Sequence, residues 1–387
     1  METKTANNRR LCDFGSGPSG ACLVCIGGIH GNEPSGVDAL RRVGRLIREE
    51  SIPLQGRFIG LAGNLPALAC GRRFIRDDLN RIWSQDRIRE LRSLDADEAT
   101  DELGEQLALL GAVNEVFATK RDDIYFVDLH TTSAGGGPFT IFGDSLKNRS
   151  FAQHFPVSMI LGLEEQIKGA LMEYLGDLGA VTMGFEAGPH SSPESPHRQE
   201  AAIWIALVAS GVLAPENCSR LEESRKRLRD AAASYPGVLE VRHRQSVELE
   251  DGFQMEPGFQ NFDLVKKGQR LARDTQGTIR SPENGRILMP LYQSQGSDGF
   301  FIVCEIWPFW LKLSKLLRAL PLSSLIPHLP GVRRHPEISN ALLVNPSIAS
   351  WATVEFFHLC GYRTCPPEGK LLVFKRRDQP ALESAAG

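Results

Sequence analysis

The sequence predicts an α/β protein in three parts: a core over residues 1–235, a small all-β module over 236–305, and an α/β tail over 306–387. Three observations support this. Short apolar strands alternate with helical stretches as far as residue 235, which is the α/β pattern. Beyond it, short strands come with regularly spaced glycines and prolines, as in small β modules. After 305, helix-like and strand-like segments resume without a catalytic pattern.

In chain order, ACLVCIGGI (21–29) reads as a buried strand and VDALRRVGRLIREE (37–50) as the helix that follows it. RFIGLAG (57–63) and DIYFVDLH (123–130) are the next strands. Between them lies a helix over 95–120, whose acidic start suits the helix dipole. FTIFG (139–143) adds a shorter strand. AVTMGFEAG (180–188) is a strand followed by the helix QEAAIWIALVASGVL (199–213). In the tail, WLKLSKLLRAL and IASWATVEFFHLCG read as helices, and ALLVN and KLLVFKRR as strands. The tail's tryptophans and phenylalanines, at helical spacing, read as core rather than as a cofactor box.

A chain of 387 residues exceeds the ~250–300 at which a single core stops growing, which suits a core with appended modules. The balance of 44 basic against 47 acidic residues gives a net charge of −3. It offers no basic excess for nucleic acid or an anionic membrane surface. Eight cysteines without framework spacing suggest free thiols in a reducing compartment. Cys22 and Cys25 form a CxxC, but inside an apolar run, so a buried strand is the expectation rather than a redox pair. The start METKTANNRRLCDFG lacks an apolar signal region, and no run approaches the ~18 apolar residues of a membrane span. A cytoplasmic protein is expected.

Three segments carry chemistry. GGIHGNEPSG (27–36) runs a strand into a glycine-rich turn presenting His30 and Glu33. Catalytic zinc takes N and O ligands and keeps an open position for water, though a lone HxxE also suits an ordinary surface turn. His130 ends the strand FVDLH, 97 residues beyond Glu33, and the carboxyl ends of strands in open α/β sheets are where ligand sites form. Asp128, two residues earlier, points to the same face of the strand and could orient a ligand or be a plain strand-end acid. RRFIRDDLNRIW (72–83) gathers Arg72, Arg73, Arg76 and Arg81 with Asn80. Arginine's planar fork suits a carboxylate, and a solvated basic loop paired with Asp77 and Asp78 is the alternative. GFEAGPH (184–190) sets Glu186 at a strand end, where an acid can serve as a general base.

Together these motifs resemble the succinylglutamate desuccinylase and aspartoacylase family, relatives of the zinc carboxypeptidases. HGNE, RxxxxDLNR, DLHT and a strand-borne EAGP follow in order, and the match runs over residues ~20 to ~305. The resemblance implies a zinc-carboxypeptidase-like mixed sheet flanked by helices, with one zinc per chain held by His30, Glu33 and His130. It implies that Arg73 polarises the scissile carbonyl, that Asn80 and Arg81 grip a substrate carboxylate, and that Glu186 moves the proton. The segment QGTIRSPENGRILMPLYQSQGSDGFF looks like the family's β-domain. The chain departs from aspartoacylase in two places. Asp298 and Gly299 stand near the place of its substrate-binding tyrosine, and Gly176 stands where it has an arginine, which argues against N-acetylaspartate as substrate.

The expectation is a zinc-dependent amidohydrolase that removes an acyl group from a small N-acyl amino acid or related amine. It has no nucleic-acid or membrane partner, and a homo-oligomer is compatible with it. A zinc carboxypeptidase and a non-enzymatic zinc-dependent binding protein are the alternatives.

Overall fold

The run Cys22–Gly27 is apolar at every position because both of its faces are covered. In the computed structural model, which describes residues 9–15, 19–93, 101–119, 121, 123–320, 322–349 and 354–377, all six of its residues are buried. Leu23 and Cys25 face one layer of core, with Val43 and Ile47 of the helix Ser35–Glu49 and Ala202–Leu207 of the helix Ser195–Ala209. Cys22, Val24 and Ile26 face the other, with Leu109, Leu110 and Val113 of the helix Asp101–Ala118. Each such buried side chain contributes roughly 1.5–3 kcal/mol, so a strand of this kind needs a helix on both sides.

The strands in chain order are β1 (Arg10–Phe14), β2 (Cys22–Gly27), β3 (Arg57–Ala62), β4 (Ile124–Thr132), β5 (Phe139–Ile141), β6 (Ser158–Leu161), β7 (Val181–Pro189) and β8 (Val238–Ser246). They continue with β9 (Gln254–Met255), β10 (Leu264–Val265), β11 (Arg270–Asp274), β12 (Gly277–Arg280), β13 (Gly285–Leu288) and β14 (Asp298–Glu305). The tail adds β15 (Val332–Arg334), β16 (Ala341–Val344), β17 (Tyr362–Glu368) and β18 (Leu371–Arg376).

Eleven strands form one mixed sheet in the order β1-β3-β2-β4-β7-β5-β6-β8-β14-β13-β10. Its centre, β3-β2-β4-β7, is parallel, and β5 returns antiparallel beside β7. The mixed sheet flanked by helices is therefore the expected architecture. Strands of 236–305 divide between two sheets: β8, β14, β13 and β10 extend the large one, and β9, β11 and β12 form a three-stranded sheet. In the tail, β15-β16-β18-β17 form a four-stranded antiparallel sheet over a cluster around Phe357 and Phe374.

The expected strands lie within a residue or two of β2, β3, β4, β5, β7, β16 and β18. The helix expected over 95–120 is observed as Asp101–Ala118, with 95–100 and 120 outside the described residues. The helix expected over 199–213 starts four residues earlier, at Ser195. Of the two helices expected in the tail, one is observed as Pro308–Ala319 and the other as Val354–Leu359, with 350–353 outside the described residues. The aromatic residues of the tail are only partly core. Phe357 is fully buried, whereas Trp307 is 77% exposed and Phe309 and Trp310 are also exposed. Cys22 and Cys25 are buried in β2, and burial pushes the Cys22 thiol up to about 11, so this CxxC is structural. Among the described residues no helix is long and apolar enough to cross a membrane.

Candidate metal centre

Beyond β2 the chain turns at Gly28, whose φ of +72° favours glycine. Gly31 then passes so close to the helix Leu65–Cys70 that a Cβ would lie 2.0 Å from the Ala67 carbonyl carbon. This tight passage sets His30 and Glu33, 4% and 2% exposed, at the carboxyl edge of the parallel strands. β4 lies beside β2 in parallel, so its end brings the buried His130 to the same edge. One ligand atom from each of His30, Glu33 and His130 can be chosen so that all lie within 4.8 Å of one another.

Glu33 stands between the two imidazoles. Its Oε1 lies 2.9 Å from His30 Nδ1 and its Oε2 lies 3.1 Å from His130 Nδ1, and Oε2 also accepts from the Thr131 N–H at 2.8 Å. The outer nitrogens are tied to acids: His30 Nε2 lies 3.1 Å from Asp78 Oδ1, and His130 Nε2 lies 2.7 Å from Asp128 Oδ2. A proton on each Nε2, shared with its acid, leaves both Nδ1 lone pairs facing a carboxylate. That arrangement is repulsive unless a cation sits among the three groups: an added proton, or a metal. Burial pushes Glu33 up, but His30 and His130 outweigh it and hold Glu33 well below the usual carboxylate range. Burial would lower His130, but Asp128 and Glu33 raise it well above an ordinary histidine. A buried pair of imidazoles and a carboxylate whose second nitrogens are fixed by acids is the donor chemistry that suits zinc.

Arg73 is half-buried and directs Nε and Nη2 onto Asp78 Oδ2 at 3.2 and 3.0 Å, while its Nη1 lies 3.6 Å from Glu33 Oε1. Burial raises Asp78, but His30 and Arg73 bring it well below the usual range. Asn80 caps this turn: its N–H donates to Asp78 Oδ1 at 2.9 Å, and its Oδ1 accepts from the Leu171 N–H at 2.9 Å. Glu186 lies opposite His130 across the β4–β7 ladder. It is 6% exposed, and its Oε2 has no hydrogen-bond partner. Burial pushes Glu186 up to about 8, against the opposing pull of the nearby His130.

Arg81 is engaged within the chain. Its Nη2 donates to Asp298 Oδ2 at 2.7 Å and its Nη1 to the Asn80 carbonyl at 2.9 Å, while Nε is buried without a partner. Asp298 also accepts from Arg244 Nε at 2.6 Å. All seven expected residues line one cavity of about 930 Å³. Four further residues, none of them among the seven expected, shape the centre. Asp78 holds His30, Asp298 pairs with Arg81, Gln199 donates to the His130 carbonyl at 2.7 Å, and His190 lies 2.7 Å from Thr131 Oγ1. The acid in DLNR was the signal for Asp78 and the resemblance that for Asp298; Gln199 and His190 carried none.

Residues 19–210 match the family model described as the succinylglutamate desuccinylase/aspartoacylase catalytic domain. A succinylglutamate desuccinylase of Ectopseudomonas mendocina is 26% identical over 284 residues, covering 70% of this chain and 79% of that protein. One from Burkholderia lata is 30% identical over 111 residues, covering 29% of this chain and 30% of that protein, so that alignment spans under a third of the relative. Among solved structures, a succinylglutamate desuccinylase/aspartoacylase from Rhodobacter sphaeroides is 20% identical with a TM-score of 0.54, covering 76% of this chain and 87% of the other. The product-bound ectoine utilization protein from Ruegeria pomeroyi is 19% identical with a TM-score of 0.52, covering 74% and 85%.

Proposed function

The chain belongs to the succinylglutamate desuccinylase/aspartoacylase family, and on that footing we propose that it is a zinc-dependent deacylase that hydrolyses the amide of a small N-acyl amino acid or related amine. The observation that carries the reading is the convergence of His30, Glu33 and His130 with the unpartnered Glu186 in one cavity. His30, Glu33 and His130 would hold the zinc, one ion per chain. Bound zinc supplies Lewis acidity and lowers the pKa of a water it coordinates.

The chain's own groups do the rest. Glu186 takes the proton of the attacking water and delivers it to the leaving amine nitrogen. Its raised pKa suits a group that must both accept and release a proton near neutral pH. Arg73, anchored by Asp78, donates to the scissile carbonyl oxygen as negative charge develops there. Asn80 and Arg81 receive the carboxylate of the substrate. Asp298 competes for the Arg81 fork, and Arg244 keeps Asp298 paired when Arg81 turns to the substrate. The eight free thiols support a reducing, cytoplasmic setting.

A panel of N-acyl amino acids and short peptides, assayed for free amine with added zinc, tests the proposal. Amine release from the N-acyl amino acids supports it. Release from peptides alone favours a carboxypeptidase on the same centre, and zinc binding without any turnover favours a binding protein.

A further inference from the structure

The cavity that holds the candidate zinc ligands extends well beyond them, and the tail forms part of its wall. Its volume, about 930 Å³, is near the top of the ~300–1,000 Å³ typical of sites that enclose drug-sized ligands. Three glycines line the passage away from the metal centre: Gly143, Gly176 and Gly184. None has a positive φ, so their backbone does not require glycine. Nor does close packing require it. A Cβ at Gly176 would meet only Thr182 Oγ1, at 3.4 Å, and at Gly143 and Gly184 the nearest atoms would lie at 3.8 and 3.7 Å. What the missing side chains leave is open space within the cavity, bordered by Ile141, Leu163, Ile167 and Met172 and, towards the tail, by Glu164 and Glu173.

The tail is clamped onto this passage. Arg363 of β17 pairs with Glu173 at 3.1 Å and Asp177 at 3.2 Å, on the helix Leu171–Asp177 that carries Gly176. Arg318 and Arg377 pair with the buried Asp144, next to Gly143, at 2.7 and 2.8 Å. Arg363, Lys375 and Arg376 themselves line the cavity. The buried pairs hold the tail against the site, where it bounds the space available to a ligand.

Building on the deacylase reading, we propose that the substrate is an N-acyl amine with an extended arm, which runs over Gly143, Gly176 and Gly184 to the wall formed by the C-terminal tail. The three glycines keep the passage open, and the tail fixes its length.

The test uses the full zinc-loaded chain and its Gly176→Leu and Gly176→Ala variants. Alanine favours the helix more than glycine does, so the second variant protects against a failure to fold. The probes are N-acetylalanine, N-octanoylalanine and N-acetyl-2-aminodecanoate, which lengthen the acyl and the amine side in turn. Amine release gives kcat/KM, and calorimetry gives binding. The unmodified protein is expected to prefer at least one extended compound over N-acetylalanine by about tenfold or more. Gly176→Leu should remove that preference, and Gly176→Ala should reduce it. Equal handling of short and extended compounds by the unmodified protein, or a preference that survives Gly176→Leu, overturns the proposal. Calorimetry separates the two readings. Extended compounds bound more tightly, with Gly176→Leu abolishing the difference but no compound hydrolysed, would uphold the passage and remove the deacylase.

Discussion

Asp128→Asn isolates the support of one candidate ligand without touching the ligand itself. Asp128 is 1% exposed, and its Oδ2 lies 2.7 Å from His130 Nε2, on the far side of the ring from Glu33. Asparagine keeps the shape and still offers an oxygen to the Nε2 proton, but without the negative charge that makes the imidazole a stronger donor. Its amide nitrogen would also occupy the position of Oδ1, which has no partner in the structure. Loss of such an outer carboxylate costs ~10–100-fold in metal affinity. At about 1.4 kcal/mol for each tenfold change, this corresponds to roughly 1.4–2.8 kcal/mol. Competition against a chromogenic chelator at neutral pH measures the zinc Kd, and circular dichroism verifies that the variant is folded. Weakening within that range is the expected result. A folded Asp128→Asn protein with unchanged zinc affinity would refute the assignment of His130 as a ligand oriented by Asp128.

Three further outcomes are expected. Glu186→Gln keeps zinc and substrate binding but cannot take a proton, so kcat should fall by ~10²–10⁴-fold while zinc content stays constant by elemental analysis. Arg81→Lys should weaken binding of carboxylate-bearing substrates, because an ammonium cannot reproduce the fork, whereas Asp298→Asn should strengthen it by removing the internal competitor; KM for acid and amidated substrates reads both signs. Asp144, buried among Arg149, Arg318 and Arg377, titrates at about 2 despite the opposing effect of burial. Its folded pKa lies below the unfolded ~3.9, so its contribution is complete above about pH 4 and is lost as pH falls towards 2. Asp144→Asn should therefore cost several kcal/mol, ~3–5, at neutral pH, with the gap in urea stability narrowing below about pH 4.

The candidate ligands stood out in the sequence because local chemistry marks them. HGNE places an imidazole and a carboxylate in a glycine turn directly after a strand that is apolar throughout, and His130 lies near the carboxyl end of another buried strand. The lateral order of the strands, which brings β4 beside β2, was not legible, since pairing depends on contacts across the chain. Arg81 read as a free fork because its counter-ion, Asp298, is 217 residues away. The tail read as an appendage for the same reason. Arg363 meets its partners 186 and 190 residues back in the chain, and no local pattern marks a side chain that reaches so far. Short β1 and β6 went unseen because strands of four or five residues carry little periodicity. Trp307, Phe309 and Trp310 follow helical spacing, but spacing does not tell which face finds a partner.

Zinc-dependent amine release from N-acyl amino acids tests the central claim most directly. Protein stripped by a chelator, dialysed and given zinc in measured steps should be inactive at the start and should regain activity in proportion to zinc, with a break at one ion per chain. His130→Ala protein, folded by circular dichroism, should not regain it over the same additions. Full activity in the stripped protein, or restoration of His130→Ala to the same rate at the same zinc, would contradict a metal centre built from His30, Glu33 and His130.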